Sequence, residues 1–247
     1  MIILIIMDIN LHKQYQKVQE KHWWFKVRDK VLLDIISRYI NVGDAVLDFG
    51  CNYGHSVRLL KNNGYKSMGV DISEEAITYG KSLNISDIYL TSNKKFVKNS
   101  FDAVVATDVL EHIEDDKMAF DYIWSLVKSG GLVVITVPAF MFLWGVQDEV
   151  SHHFRRYRMH GLESLLGSVG DFELVKKSYF NTFLFLPIAF VRLVSRLFNV
   201  RSRNSDLSIN NQFLNKLFFA IFNLERKILK YANFPIGTSA LLVLRKR

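Results

Sequence analysis

The sequence predicts an α/β fold built around a mostly parallel sheet, and three observations support this prediction. Short apolar segments alternate with helical stretches, as in repeated βαβ units. The first apolar segment, at 45–49, runs into a glycine-containing turn at 50–54. A later segment, FDAVVA at 101–106, is apolar almost throughout, as expected of a parallel strand that is covered on both faces.

The elements follow in order along the chain. A helix is predicted over 12–40, where aromatic residues at 22–25 precede apolar residues at helical spacing. A second helix is predicted over 55–62, ended by Asn63 and Gly64, and Ser73 is the predicted N-cap of a third. Strands are predicted at 45–49, 67–70, 87–90, 101–106, 132–137, 172–178 and 239–244, with a turn at 129–131 before the fifth.

The chain divides into three predicted parts. Residues 1–40 form an N-terminal helical cap, and 41–180 together with 236–247 form the core. Residues 181–235 form a helical insert before the last strand, which the sheet itself does not require. This insert is basic and amphipathic, and we expect it to act as a lid or as a membrane-surface element.

The turn after the first strand is the strongest functional signal. Glycine has no Cβ, so a turn through Gly50 and Gly54 lets the backbone pass close to a bound nucleoside. Asp71, at the end of the next strand, is placed to accept hydrogen bonds from ribose hydroxyls. The turn lacks the G-x-G-x-x-G spacing of dinucleotide sites, because Asn52 stands between its glycines, and this disfavours a nicotinamide cofactor.

Several ordered motifs resemble those of class I S-adenosylmethionine-dependent methyltransferases of the small-molecule type. They are DFGCNYG, GVDIS, FDAVVATDVLEHI, SGGLVVITVP and the closing GTSALLVLRK. The flanking segments HWWFKVR and HFRRY further resemble an uncharacterised bacterial subgroup. The resemblance implies a Rossmann-like, seven-stranded, mostly parallel sheet with helices on both faces and an antiparallel last strand. It also implies S-adenosyl-L-methionine as the cofactor.

The resemblance assigns cofactor-binding roles to residues at three strand ends. Asp71 would bind the ribose hydroxyls, and Ile72 would pack on the adenine. Asp108 and Val109 would lie beneath the cofactor. The methionine and ribose end would be lined by the first turn, with Cys51 as a small packing residue: Asp48, Gly50, Cys51, Asn52 and Gly54.

Catalytic and acceptor-binding residues are expected on the loops after the fourth and fifth strands. Methyl transfer needs two oriented reactants and a base to remove a proton, with no metal. We favour His153 as this base, then His152, with Tyr157 in the same group. A structural role for these histidines, in a solvated loop, stays open.

Four further residues are candidates for acceptor binding: His112, Trp144, Arg155 and Arg156. The arginines could bind a phosphate or carboxylate, or they could instead brace the loop by pairing with Asp148 and Glu149. His112 could likewise serve only to order its own turn.

Positive charge is concentrated at the C-terminal end. From 181 to 247 there are eleven Lys and Arg and two acidic residues, so this segment has a net charge of +9. The rest of the chain has a net charge of −1, which gives +8 for the whole sequence. Apolar residues at helical spacing alternate with Lys and Arg across 183–231. This pattern suits an anionic membrane surface or a pair of lid helices, and no nucleic acid is expected because the aromatics lie among aliphatics.

The single cysteine, Cys51, excludes a disulfide framework and an iron–sulfur cluster. The initial MIILIIMD is too short for a signal-peptide core and lacks a basic start. We therefore expect a cytoplasmic protein, or one that is peripheral on the inner face of the membrane. The predicted function is methyl transfer to a small-molecule or lipid-linked acceptor. The alternatives are a nicotinamide-dependent oxidoreductase and a non-catalytic nucleoside-binding module.

Overall fold

The computed structural model describes residues 16–168, 170–198 and 211–247. Its core is one seven-stranded sheet, whose strands are β1 Ala45–Phe49, β2 Lys66–Asp71, β3 Ile88–Leu90, β4 Phe101–Thr107, β5 Val127–Pro138, β6 Phe172–Phe180 and β7 Ser239–Lys246. The strand order is β3-β2-β1-β4-β5-β7-β6. The first five strands pair in parallel, and β7 runs antiparallel to both of its neighbours. The predicted mostly parallel sheet is confirmed.

Helices cover both faces of the sheet, as predicted. They are α1 Trp23–Tyr39, α2 His55–Asn62, α3 Glu74–Ser82, α4 Asp116–Leu126, α5 Val146–Val150, α6 Met159–Ser164, α7 Phe185–Leu197 and α8 Gln212–Leu229. On one face, α1 and α8 pack side by side through residues such as Ile36 and Phe222. On the other face, α4 contributes Phe120 and Ile123 to the core. Each face therefore buries an apolar layer, which explains the near-continuous apolar strands.

The predicted helix over 12–40 differs from the structure at His22. Residues 16–21 are helical, but His22 is extended and caps α1 by accepting from the Trp24 N–H. Asn215 of α8 stabilises this break, because its side chain accepts from the Trp23 N–H and donates to the Lys21 carbonyl. The prediction of one continuous helix was therefore wrong. The predicted residues 12–15 lie outside the described part of the chain.

The predicted turn at 129–131 lies inside β5 instead of before it. The pairing of β4 with β5 shifts register between Phe101 and Ala103, so 128–131 bulge out of the ladder. Gly130 adopts a φ of 80° within this bulge. Left-handed backbone at one glycine lets the strand continue past the irregularity.

The segment predicted as a basic insert contributes α7 and α8, while 199–210 lie outside the described residues. In α7, Phe185 and Ala189 pack on Leu143, whereas Leu186 and Phe190 are 76% and 68% exposed. In α8, Phe222 and Leu229 are buried beside α1. Among the described residues, no helix has both the length and the apolar character needed to cross a bilayer.

Candidate functional site

The turn between β1 and α2 lies at the carboxyl edge of the sheet and has a left-handed backbone. Gly50, Asn52 and Gly54 have φ values of 77°, 48° and 87°. The N–H groups of Gly50 and Cys51 both donate to the Val70 carbonyl at 2.9 Å, which holds the turn against β2. A Cβ on Gly50 would lie 2.5 Å from a methyl group of Val109, so only glycine fits here.

Asp71 joins this turn to the end of β2. Its carboxylate accepts from the Asn52 N–H at 2.7 Å and from the Ser73 N–H at 2.9 Å. The next residue, Ile72, is 55% exposed at the same edge. The structure thus brings together the carboxylate and the apolar side chain that the sequence assigns to ribose and adenine.

Two more carboxylates lie below the turn. Asp48 is buried, and its removal from water raises its pKa to about 7, although the Arg28 guanidinium opposes the shift. Asp108 follows β4 with a φ of 57°, and its Oδ2 accepts from Nη1 of Arg28 at 3.0 Å. Burial raises the pKa of Asp108 as well, against the nearby positive charge of Arg28.

Arg28 lies in α1, so this helix reaches across the carboxyl edge of the sheet. Its guanidinium stacks on the rings of Trp24 and Phe25, with distances of 5.3 and 5.2 Å to the ring centroids. The next residue, Asp29, accepts from Nε2 of His55 at the start of α2. The N-terminal helix is thereby fixed to the first turn and to the end of β4.

A second polar group surrounds Asp148, which is fully buried in α5. Its carboxylate accepts from Nδ1 of His153 at 2.8 Å and from Nε and Nη2 of Arg156 at 2.7 and 2.9 Å. The Gly145 N–H donates to it as well. Burial alone would raise its pKa, but the hydrogen bonds from His153 and Arg156 lower it to about 2.

This arrangement orients the ring of His153. An ionised carboxylate can only accept a hydrogen bond, so Nδ1 of His153 donates to Asp148 and Nε2 is the ring nitrogen left for another partner. The ring of His112 lies edge-on to the ring of His153 with 4.5 Å between centroids, and Trp144 lies 6.5 Å from His153 on the same measure. Desolvation by the surrounding protein and the charge of His153 lower the pKa of His112 to about 4.

Two of the remaining candidates, Tyr157 and Arg155, contact a different carboxylate from the one that binds His153. The Tyr157 hydroxyl donates to Asp116 at 2.7 Å, and Nη1 of Arg155 lies 2.9 Å from the same carboxylate. Both residues therefore contact the start of α4. His152 is exposed with a φ of 54°. Arg156 pairs with Asp148, the bracing arrangement that the sequence left open.

Comparison with known proteins identifies the family. A family model described as a methyltransferase domain matches residues 22–177. The chain belongs to this family. The predicted resemblance to class I S-adenosylmethionine-dependent methyltransferases is confirmed, and so is S-adenosylmethionine as the expected cofactor.

Individual relatives agree with this assignment. The chain is 26% identical over 172 residues to an uncharacterized protein of Methanocaldococcus jannaschii, covering 67% of this chain and 65% of that protein. It is 31% identical over 98 residues to a ubiquinone biosynthesis O-methyltransferase of Colwellia psychrerythraea, covering 36% of this chain and 39% of the relative. The chain spans only 21% of a wheat phosphoethanolamine N-methyltransferase that it also matches.

A solved structure shares the fold of this chain. Phosphoethanolamine N-methyltransferase 2 of Haemonchus contortus, in complex with phosphomonomethylethanolamine and S-adenosylhomocysteine, superposes with a TM-score of 0.51. The sequence identity is 17%, and the match covers 88% of this chain and 52% of that one. At this identity the likeness establishes the fold alone.

Two residues of the methyltransferase site had no role in the sequence-based prediction. Arg28 stands in the sequence only as the last residue of the HWWFKVR segment, and an arginine buried among Val27, Val31 and Leu32 requires a charged partner elsewhere. Glu111 stands in the sequence only as part of the FDAVVATDVLEHI motif. It is 1% exposed, and burial together with the charge of Asp108 raises its pKa well above the usual value.

Proposed function

We propose that the protein transfers the methyl group of S-adenosylmethionine to an O–H or N–H group of a small or lipid-linked acceptor. The acceptor lone pair attacks the methyl carbon, the carbon–sulfur bond breaks, and S-adenosylhomocysteine leaves with the bonding electrons. The proton of the acceptor passes to Nε2 of His153. In this proposal Asp71 binds the ribose, Ile72 packs on the adenine, and Gly50, Asn52 and Gly54 border the methionine end.

The hydrogen bond between His153 and Asp148 carries this proposal. The 2.8 Å contact turns Nδ1 toward Asp148, so that Nε2 is the nitrogen placed to accept a proton from the acceptor. The buried carboxylate would also stabilise the imidazolium that forms after proton transfer. His112 and Trp144 lie against the same ring and are the proposed acceptor contacts.

The names of relatives support a small or lipid-linked acceptor. They include phosphoethanolamine and ubiquinone-biosynthesis methyltransferases, whose names describe one polar headgroup and one quinone pathway. In this chain α7 packs on 141–143, beside the loop that carries Trp144. An acceptor held at a lipid surface could therefore approach the site alongside α7.

Exposed apolar and basic side chains support a membrane-surface role for α7 and α8. Exposed apolar residues on the two helices include Leu186, Phe190, Val191, Leu197, Phe213 and Leu224. The exposed basic residues include Lys216 and Lys227 on α8 and Arg196 on α7. We propose peripheral attachment to an anionic inner membrane face, because apolar anchors with cations bind such surfaces.

Calorimetry with S-adenosylmethionine, S-adenosylhomocysteine and NAD tests the proposal first. We expect binding of the two sulfur nucleosides and none of NAD; binding of NAD alone would contradict methyl transfer. Incorporation of labelled methyl groups into lipid and aqueous cell extracts then tests turnover. Cofactor binding without incorporation into either extract would favour a non-catalytic nucleoside-binding module.

His153→Gln separates catalysis from cofactor binding. The variant should lower kcat by about 100-fold or more, because general-base catalysis contributes that much. The dissociation constant for S-adenosylmethionine should stay unchanged. His160→Gln, an exposed histidine of α6, is the matched control and should behave as the wild type.

A further inference from the structure

Glu111, His112 and His153 converge at the carboxyl end of β4. One potential ligand atom from each lies within 4.8 Å of the other two. Glu111 and His112 belong to the turn after β4, while His153 comes from the loop after α5. The Phe154 N–H donates to the Glu111 carbonyl at 2.8 Å, which fixes the two segments together.

The carboxylate of Glu111 lacks a compensating charge. The residue is 1% exposed, and neither carboxylate oxygen has a hydrogen-bond partner in the described part of the chain. The nearby guanidinium of Arg156 is already paired with Asp148 in two hydrogen bonds. A buried carboxylate without a hydrogen-bond partner is strongly unfavourable unless a proton or a cation neutralises it.

His153 is oriented as a metal ligand is. Its Nδ1 donates to Asp148 at 2.8 Å, which leaves Nε2 as the nitrogen that can coordinate an ion. Histidines that bind metals in proteins characteristically donate their other N–H to a carboxylate or a backbone carbonyl in this way. The ring of His112 lies edge-on to this ring, with 4.5 Å between the ring centroids.

We propose that Glu111, His112 and His153 bind one divalent transition-metal ion, with Zn²⁺ as the best match. Two imidazoles and one carboxylate form a three-ligand set that leaves a coordination position open. Mg²⁺ and Ca²⁺ are disfavoured because they prefer oxygen ligands throughout. Ligand atoms around tetrahedral Zn²⁺ are roughly 3.3 Å apart, so small side-chain rotations would close the set. The proposal replaces the sequence-based expectation that no metal is needed.

The catalytic consequence rests on the proposed function, whereas metal binding does not. An ion at this place would bind an acceptor hydroxyl oxygen at its open position and lower the pKa of that hydroxyl. The proton would pass to water before the oxygen attacks the methyl carbon. In the metal-bound protein His153 would act as a ligand, so this route would replace proton transfer to Nε2 of His153, which belongs to the metal-free protein. An oxygen acceptor would be favoured over a protonated amine.

Calorimetric titration of the full-length, chelator-treated protein with ZnCl₂ tests the site directly. We expect one Zn²⁺ to bind per chain. Co²⁺ should bind at the same site and give the visible absorption bands of a low-coordination, tetrahedral site. Glu111→Gln and His153→Gln should each weaken Zn²⁺ binding by more than 100-fold. Asp148→Asn should weaken it by about 10–100-fold, because it removes the partner that orients His153.

Controls keep the outcome distinct from misfolding and from failure of the proposed function. His160→Gln should bind Zn²⁺ as the wild type does. Binding of S-adenosylmethionine by each metal-free variant reports whether the fold and the cofactor site are intact. Absence of Zn²⁺ and Co²⁺ binding in the wild type, or wild-type affinity in His153→Gln, would overturn the metal site whatever the cofactor result.

Discussion

Arg28 of α1 donates a hydrogen bond to Oδ2 of Asp108, 3.0 Å away, although the two residues lie 80 positions apart in the chain. The arginine side chain is 8% exposed and the aspartate side chain 22%. This ion pair fixes the N-terminal helix across the carboxyl end of β4. The helix that precedes the sheet therefore forms part of the candidate cofactor site.

Replacing Arg28 by Met should lower the free energy of unfolding by about 1–3 kcal/mol, because it leaves the Asp108 carboxylate without its partner. Adding Asp108→Asn should restore part of this loss, since the unpaired charge is then removed. Urea unfolding of the two single variants and the double variant measures the coupling. Strictly additive losses would show that the ion pair does not stabilise the fold.

Gly50→Ala should lower the free energy of unfolding by more than Gly130→Ala does. Both glycines have similar φ values of 77° and 80°, so each alanine adds about 1–2 kcal/mol of backbone strain. A Cβ at Gly50 would also meet Val109 at 2.5 Å, whereas nothing lies within 4 Å of a Cβ at Gly130. We expect S-adenosylmethionine affinity to fall at least 10-fold in Gly50→Ala only. Equal affinities in calorimetry would contradict a close approach of cofactor to this turn.

The stability contribution of Asp148 should depend on pH. Its folded pKa of about 2 lies below the unfolded value of about 3.9, so the contribution is complete above the unfolded pKa and falls as pH drops toward 2. The difference in unfolding free energy between wild type and Asp148→Asn should shrink by about 1 kcal/mol from pH 6 to pH 3. Urea unfolding at both pH values measures it. A constant difference would show that Asp148 is not held ionised by His153 and Arg156.

The full-length protein should cosediment with anionic vesicles, and added salt should weaken the binding. Phe190→Ser in α7 should reduce the bound fraction, because it removes a side chain that is 68% exposed. Val97→Ser is the matched control, since Val97 is 78% exposed but lies outside α7 and α8. A protein that stays in the supernatant at low salt would rule out membrane attachment through these helices.

Local sequence patterns were sufficient to predict most strands of the sheet and the helices that follow the first two strands. The bounds of β1 and α2 agree with the predicted ones, and Ser73 caps α3 by accepting from the Ala76 N–H. Apolar runs, glycine stops and caps act over a few residues, so they can be interpreted without knowing the fold. The break at His22 could not be predicted, because it is stabilised by Asn215, which accepts from the Trp23 N–H and lies 192 positions from Trp23 in the chain.

Local sequence is enough to predict the alternation of strands and helices, the glycine turn at 50–54 and the acidic residues at the strand ends. These features depend on neighbouring residues and on the meeting of parallel strand ends at one edge of the sheet. The partners of the buried charges, in contrast, are set by the fold, which pairs Arg28 with Asp108 and Arg156 with Asp148 and places Glu111 beside the imidazoles of His112 and His153. A charge can be recognised from its residue type, but its compensation depends on groups that folding brings from distant parts of the chain.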